Sequence, residues 1–121
     1  PSRLVGSEMC IRDRLWEVIG HLNVGLCLDT CHTWAGGIPT IDAVKGFKKL
    51  VKKIDLIHFN DSKDGFESSR DRHENLGKGK IPKEELEYVI KNAKTDIIVE
   101  TPNGPDAQKK DIAWIKRRLK K

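Results

Sequence analysis

Residues able to do metal chemistry cluster at the ends of short apolar runs in this chain. Val24-Gly-Leu-Cys-Leu-Asp29 ends in an aspartate, and His32 follows three residues later. Asp55-Leu-Ile-His-Phe-Asn60 carries His58 and is followed at once by Asp61, and Asp96-Ile-Ile-Val-Glu100 ends in a glutamate. Between the second and third runs lies Arg70-Asp-Arg-His-Glu74, which adds Asp71 and His73. Carboxylate oxygens and imidazole nitrogens without an obligatory thiolate favour zinc, manganese or iron over magnesium, which prefers oxygen alone. Asp29, His32, His58, Asp71, His73 and Glu100 are six donors, more than the three or four protein ligands one catalytic ion takes, so the count points to at least two ions.

Such a constellation needs rigid supports, and the surrounding pattern supplies them. The three apolar runs read as buried strands. Helices are expected between and after them. One follows Thr40 as N-cap and carries Ile41, Val44, Phe47, Leu50, Val51 and Ile54; a second starts with Pro82 at its first position and carries Leu86, Val89, Ile90 and Ala93. Residues 15–22 read as the end of an earlier helix, with Leu15, Val18, Ile19 and Leu22 on one face. Strand, loop and helix three times over means βα units on a parallel sheet, whose carboxyl ends build the active site in such architectures. The polar stretch from Asp61 to Ile81 shows no apolar period, and a loop of that length within a domain is usually functional. Side-chain alternation puts Asp29 on the face of Cys27 and Gly25, and gives Asn60 the parity of His58.

Composition narrows the classes. The chain has 121 residues, 37% hydrophobic and 34% charged, which suits one globular domain and neither a disordered chain nor a membrane protein. No apolar run approaches the roughly 18 residues of a membrane span, and no secretory signal is expected. Residues 1–14 lack period and turn chemistry and read as a non-native or disordered leader. Three cysteines, Cys10, Cys27 and Cys31, are too few and odd in number for a disulfide scaffold, so reduced thiols and a cytoplasmic location are expected. A zinc knot of Cys27, Cys31 and His32 lacks a second pair at the required spacing, and Cys27 is expected to pack inside the sheet as a small apolar residue. His21 reads as a surface histidine. The net charge of +5 resides in residues 103–121, which hold seven Lys and Arg against Asp106 and Asp111, with Ile112, Ile115 and Leu119 at helical spacing. That pattern is an amphipathic helix with a solvated basic face.

Four segments carry a resemblance to a known family. Cys27-Leu-Asp-Thr-Cys-His32, His58-Phe-Asn-Asp-Ser-Lys63, Arg70-Asp-Arg-His-Glu-Asn-Leu-Gly-Lys-Gly79 and Ile98-Val-Glu-Thr-Pro102 resemble the C-terminal signature blocks of endonuclease IV, in order and at compatible spacing. The likeness covers about residues 15–121. It implies a (β/α)₈ TIM barrel with three zinc ions that cuts double-stranded DNA 5′ to abasic sites. A complete barrel takes about 250 residues, so this chain would be the C-terminal part, about three βα units. By position, Asp29, His58 and Glu100 would help bind one zinc of a close pair, and His32, Asp71 and His73 would form the third site. The family's remaining ligands, two histidines and a bridging glutamate, have no counterpart here. The expectation is therefore one complete zinc site and weak or no nuclease activity from this chain alone.

The resemblance also orders the neighbouring residues. Asn60, Asp61 and Glu74 would orient ligands, and Lys63, Arg70 and Arg72 are the candidates to meet DNA phosphates. Two rival functions suit the same residues: a metal-dependent sugar isomerase or epimerase of the xylose-isomerase-like barrels, disfavoured by the Asp71-Arg-His73 block, and a non-catalytic basic DNA-binding module.

Overall fold

A computed structural model describes residues 15, 17–22, 25–51 and 53–120. The leader assigned to residues 1–14 lies outside them. Three parallel strands form the centre: β1 (Cys27–Asp29), β2 (Leu56–His58) and β5 (Asp96–Ile98), in the order β1-β2-β5. A second, two-stranded antiparallel sheet pairs β3 (Asp61–Ser62) with β4 (His73–Glu74). Helices α1 (Thr30–Ala35), α2 (Thr40–Leu50), α3 (Lys83–Ala93) and α4 (Gly104–Leu119) connect and cover the strands.

The sheet has one covered face and one open face, as strand alternation dictates. Leu28 and Ile57 point to the helices and are buried with Val44, Phe47, Leu86, Val89, Ile90, Trp114 and Ile115. Cys27, Asp29 and His58 point the other way. Register places Asp29 beside His58 and His58 beside Ile98, so one row of side chains crosses the open face. Glu100 lies two residues beyond Ile98, on the same parity. The arrangement is the open parallel sheet expected of part of a (β/α)₈ barrel: among the described residues the sheet does not close, and β1 and β5 are its edges.

Several expectations need correction. Cys27 is exposed rather than packed, because it sits on the open face of the unclosed sheet. The strands are shorter than their apolar runs: regular pairing ends at His58 and Ile98, Phe59 and Val99 turn into the core, and Asn60 and Glu100 lie just beyond. A helix the sequence did not announce, α1, follows β1 directly; Asp29 caps it by accepting the His32 amide at 2.9 Å. Thr40 is the first residue of α2 rather than its cap, and Pro82 precedes α3 rather than opening it. On α4, Trp114 and Ile115 are buried while Ile112 and Leu119 are exposed, because the helix packs with a different edge than the isoleucine and leucine spacing suggests. Leu15, Val18 and Leu22 are exposed as well.

The segment 61–81 is ordered by hydrogen bonds rather than by an apolar stripe. Lys63 N donates to Arg72 O at 3.0 Å, closing the β3–β4 connection. Glu67 N and Ser69 N donate to Trp34 O and Ala35 O, satisfying carbonyls at the end of α1 that have no partner within the helix. The Trp34 indole donates to Asp64 O at 3.0 Å and stacks edge-on with Phe66, at 5.0 Å between centroids. Leu76 and Ile81 anchor the far end in the core.

Candidate metal centre

The carboxyl ends of the three parallel strands bring Asp29, His58 and Glu100 together. His58 Nδ1 lies 2.8 Å from Glu100 Oε1 and 3.9 Å from Asp29 Oδ2. One donor atom from each of the three falls within 4.8 Å of the others. The β3–β4 connection brings the second group. His73 Nε2 is 3.7 Å from Asp71 Oδ1 and 3.8 Å from Asp29 Oδ2, and His32 Nδ1 is 3.5 Å from Asp71 Oδ2. All six residues singled out from the sequence thus meet on one rim, with Asp29 touching both groups.

Backbone contacts aim these side chains. Asn60 Oδ1 accepts the Glu100 amide at 2.8 Å, and Asn60 N and O are both tied to Thr30 Oγ1, at 2.9 and 2.6 Å. Asn60 therefore links β2, β5 and the start of α1. His73 Nδ1 meets Glu100 O at 2.9 Å. A carbonyl can only accept, so Nδ1 carries the proton and Nε2 presents a lone pair toward the carboxylates.

The donor set fits divalent ions. Three carboxylates, of Asp29, Asp71 and Glu100, converge, and among the described residues their ion-pair partners are all histidines, with no Lys or Arg neutralising them. Anionic oxygens gathered with neutral-capable imidazoles are the chemistry that holds zinc and related ions. A third-row donor the sequence reading set aside is close by: Cys31 Sγ lies within the same 4.8 Å spread as donor atoms of Asp71 and His73. Its thiol, though, is fully buried and donates to Arg72 O at 3.5 Å, and burial pushes its pKa up to about 12. Cys31 thus shapes the Asp71–His73 segment from behind.

The remaining named residues divide. Asp61 is buried and makes no hydrogen bond to a metal-site side chain. Its carboxylate accepts from the amides of Ser62, Gly77, Gly79 and Ile81 at 2.8–3.1 Å, and burial raises its pKa despite those bonds. Glu74 Oε1 accepts the amide of its neighbour Asn75. Arg72 is held by Asp64 through two hydrogen bonds of 2.6 and 2.8 Å, a fork that holds the Asp64 carboxyl below its ordinary range. Lys63 and Arg70 are exposed, and among the described residues their side chains form no ion pair.

One residue that matters, Asp111, was not singled out from the sequence. Asp111 is buried on α4 and accepts from Asn75 Nδ2 at 2.8 Å and Leu76 N at 3.0 Å. The signal was present: Asp111 sits four residues before Ile115 and three before Trp114, a carboxylate on the packed face of the helix.

A parallel βα sheet with carboxylate and histidine groups able to hold a metal ion at its carboxyl ends is the layout of part of an α/β barrel. The chain belongs to the xylose isomerase-like TIM barrel family, which it matches over residues 8–118. Within it, the chain is similar to endonuclease IV proteins. It is 48% identical over 105 residues to a "Probable endonuclease 4" of Mycobacterium bovis, covering 87% of this chain and 41% of that protein. It is 45% identical over 106 residues to the protein of the same name from Mycobacterium ulcerans, covering 88% and 41%. The crystal structure of endonuclease IV from Thermus thermophilus superposes with a TM-score of 0.71 at 28% identity, over 89% of this chain and 43% of that one. The chain therefore spans about 41% of the length of the curated relatives it matches.

Proposed function

We propose that this chain is the C-terminal part of a zinc-dependent DNA-repair endonuclease that hydrolyses the phosphodiester 5′ to abasic sites. The observation that carries the reading is the meeting of three carboxylates and three histidines on one rim with, among the described residues, no Lys or Arg paired with them. The names of the relatives supply the class of reaction.

Asp29, His58 and Glu100 would hold one ion, and His32, Asp71 and His73 another. Divalent ions in such sets acidify water and withdraw charge from phosphoryl oxygens. The protein's own contribution is placement. The parallel register sets Asp29 and His58 side by side, Asn60 fixes Glu100 through its amide, and the Glu100 carbonyl fixes the His73 tautomer. Lys63 and Arg70 lie on the exposed loop beside the rim, where a phosphate backbone would pass. Arg72 braces that loop through Asp64.

Incision of an end-labelled duplex with a single abasic site, in zinc and in chelator, tests the reading against an otherwise identical intact duplex. The expected result for this chain alone is weak, zinc-dependent cutting on the 5′ side. Equal cutting of the intact duplex would overturn the abasic-site assignment, and robust incision would overturn the view that further ligands are needed.

A further inference from the structure

The ligand-bearing segments are tied together behind the rim, and the tie ends on a residue outside it. His73 and Glu100 come from different elements, β4 and the end of the β5 run. Two residues beyond His73, the buried Asn75 uses both amide hydrogens and its oxygen. Nδ2 donates to Asp111 Oδ2 at 2.8 Å and to Pro102 O at 3.0 Å, and Oδ1 accepts from Asn103 Nδ2 at 2.7 Å. Pro102 and Asn103 immediately follow the Glu100–Thr101 pair. The other Asp111 oxygen accepts Leu76 N at 3.0 Å. Asn103 is itself left-handed, with φ 75°, a conformation asparagine tolerates better than most residues, and one that brings its amide onto Asn75.

The energetics of Asp111 give it a positional meaning. It is 4% exposed, lies beside Trp114 and Ile115, and has no Lys or Arg ion-pair partner among the described residues. A buried carboxylate is costly unless its oxygens are used, and an apolar residue there would pack more cheaply. What an apolar residue could not do is accept from Asn75 Nδ2 and Leu76 N at once.

We infer that Asp111 is a positioning residue for the metal centre: through Asn75 it fastens the segment presenting His73 to the segment presenting Glu100, and so sets the spacing of those two ligands. The inference rests on the metal-centre reading given under the proposed function. It adds an outer-helix residue to the machinery of the rim.

The test is metal affinity, measured on the 121-residue chain by competition with a chromophoric chelator for zinc, together with the visible spectrum of the cobalt-loaded chain. Asp111→Asn keeps the shape but turns one oxygen into a donor facing donors. It is expected to weaken zinc binding 10–100-fold, the range for outer-shell partners, and to alter the cobalt spectrum in chain that circular dichroism shows to be folded. Asp106→Asn, exposed on the same helix, is expected to change neither. Should Asp111→Asn fail to fold, Asn103→Gly, which accepts the left-handed backbone, removes the side-chain bond that orients Asn75 and is expected to weaken zinc binding several-fold. Folded Asp111→Asn, or Asn103→Gly in its place, with unchanged affinity and cobalt spectrum overturns the inference. A wild-type chain that takes up neither zinc nor cobalt overturns the metal reading beneath it, a separate result.

Discussion

His58 and Glu100 face one another across adjacent parallel strands with Nδ1 and Oε1 2.8 Å apart. That short approach brings together two groups that would both be ligands, so the pair is already near the spacing an ion requires. Zinc titration of His58→Ala or Glu100→Gln is expected to show losses at or beyond the 10–100-fold typical of outer-shell partners. His73→Ala is expected to lower the zinc content of the purified chain. Unchanged metal content by elemental analysis would sink the assignment of that residue.

Alkaline stability should report Cys31. Burial raises its thiol in the folded chain from 9.0 to about 12, with smaller contributions from Asp71 and Asp29. The unfolded chain loses this proton near 9 while the folded chain keeps it, so the group's stabilising contribution is complete below pH 9 and fades as pH rises toward 12. Denaturant midpoints of wild type and Cys31→Ala, compared from pH 8 to 11 in the absence of metal, should show the steeper decline in wild type. Parallel curves would contradict it. Native-state alkylation at pH 8 should likewise spare Cys31.

Gly79 should not tolerate a side chain. A Cβ there would stand 2.3 Å from Ser62 O and 2.4 Å from Asp61 Oδ1, and a backbone carbonyl cannot step aside cheaply. Gly79→Ala is expected to destabilise the chain by about 1–3 kcal/mol or more in urea unfolding, as overpacking of a filled interior does. Gly65→Ala, with open space around its Cβ, is the control and should be near neutral.

DNA binding should separate the three loop cations. Lys63→Ala and Arg70→Ala are expected to weaken binding to any duplex and to reduce the slope of log affinity against log salt by about 1 each. Arg72→Ala removes the fork to Asp64, so its first effect should be faster proteolysis of residues 63–72. Equal salt-slope changes for all three would show that Arg72 also reaches phosphate.

The site was more legible than the scaffold around it. Asp29, His58 and Glu100 could be found because each ends a run of apolar residues, and a charge closing a buried strand is a signal in itself. Helix α1 was hidden because Asp29 and His32 read as ligands, while the same aspartate is also a helix cap. The β3–β4 pairing was invisible because two-residue strands separated by residues 63–72 show no alternation. Arg72 and Asp61 looked like site residues from their neighbours in sequence, yet each is engaged by groups that only the folded loop brings near. Asp111 could have been suspected, since a carboxylate among Trp114 and Ile115 breaks an apolar stripe.

Asp29 divides its two oxygens between different masters. Oδ1 holds the His32 amide at the start of α1, and Oδ2 faces His58 and His73. The first turn of that helix therefore doubles as a gauge of the rim. Any ion drawing on Oδ2 also steadies Oδ1, and the His32 amide should exchange its hydrogen with solvent more slowly when metal is added. A single backbone proton would then register occupancy of the centre.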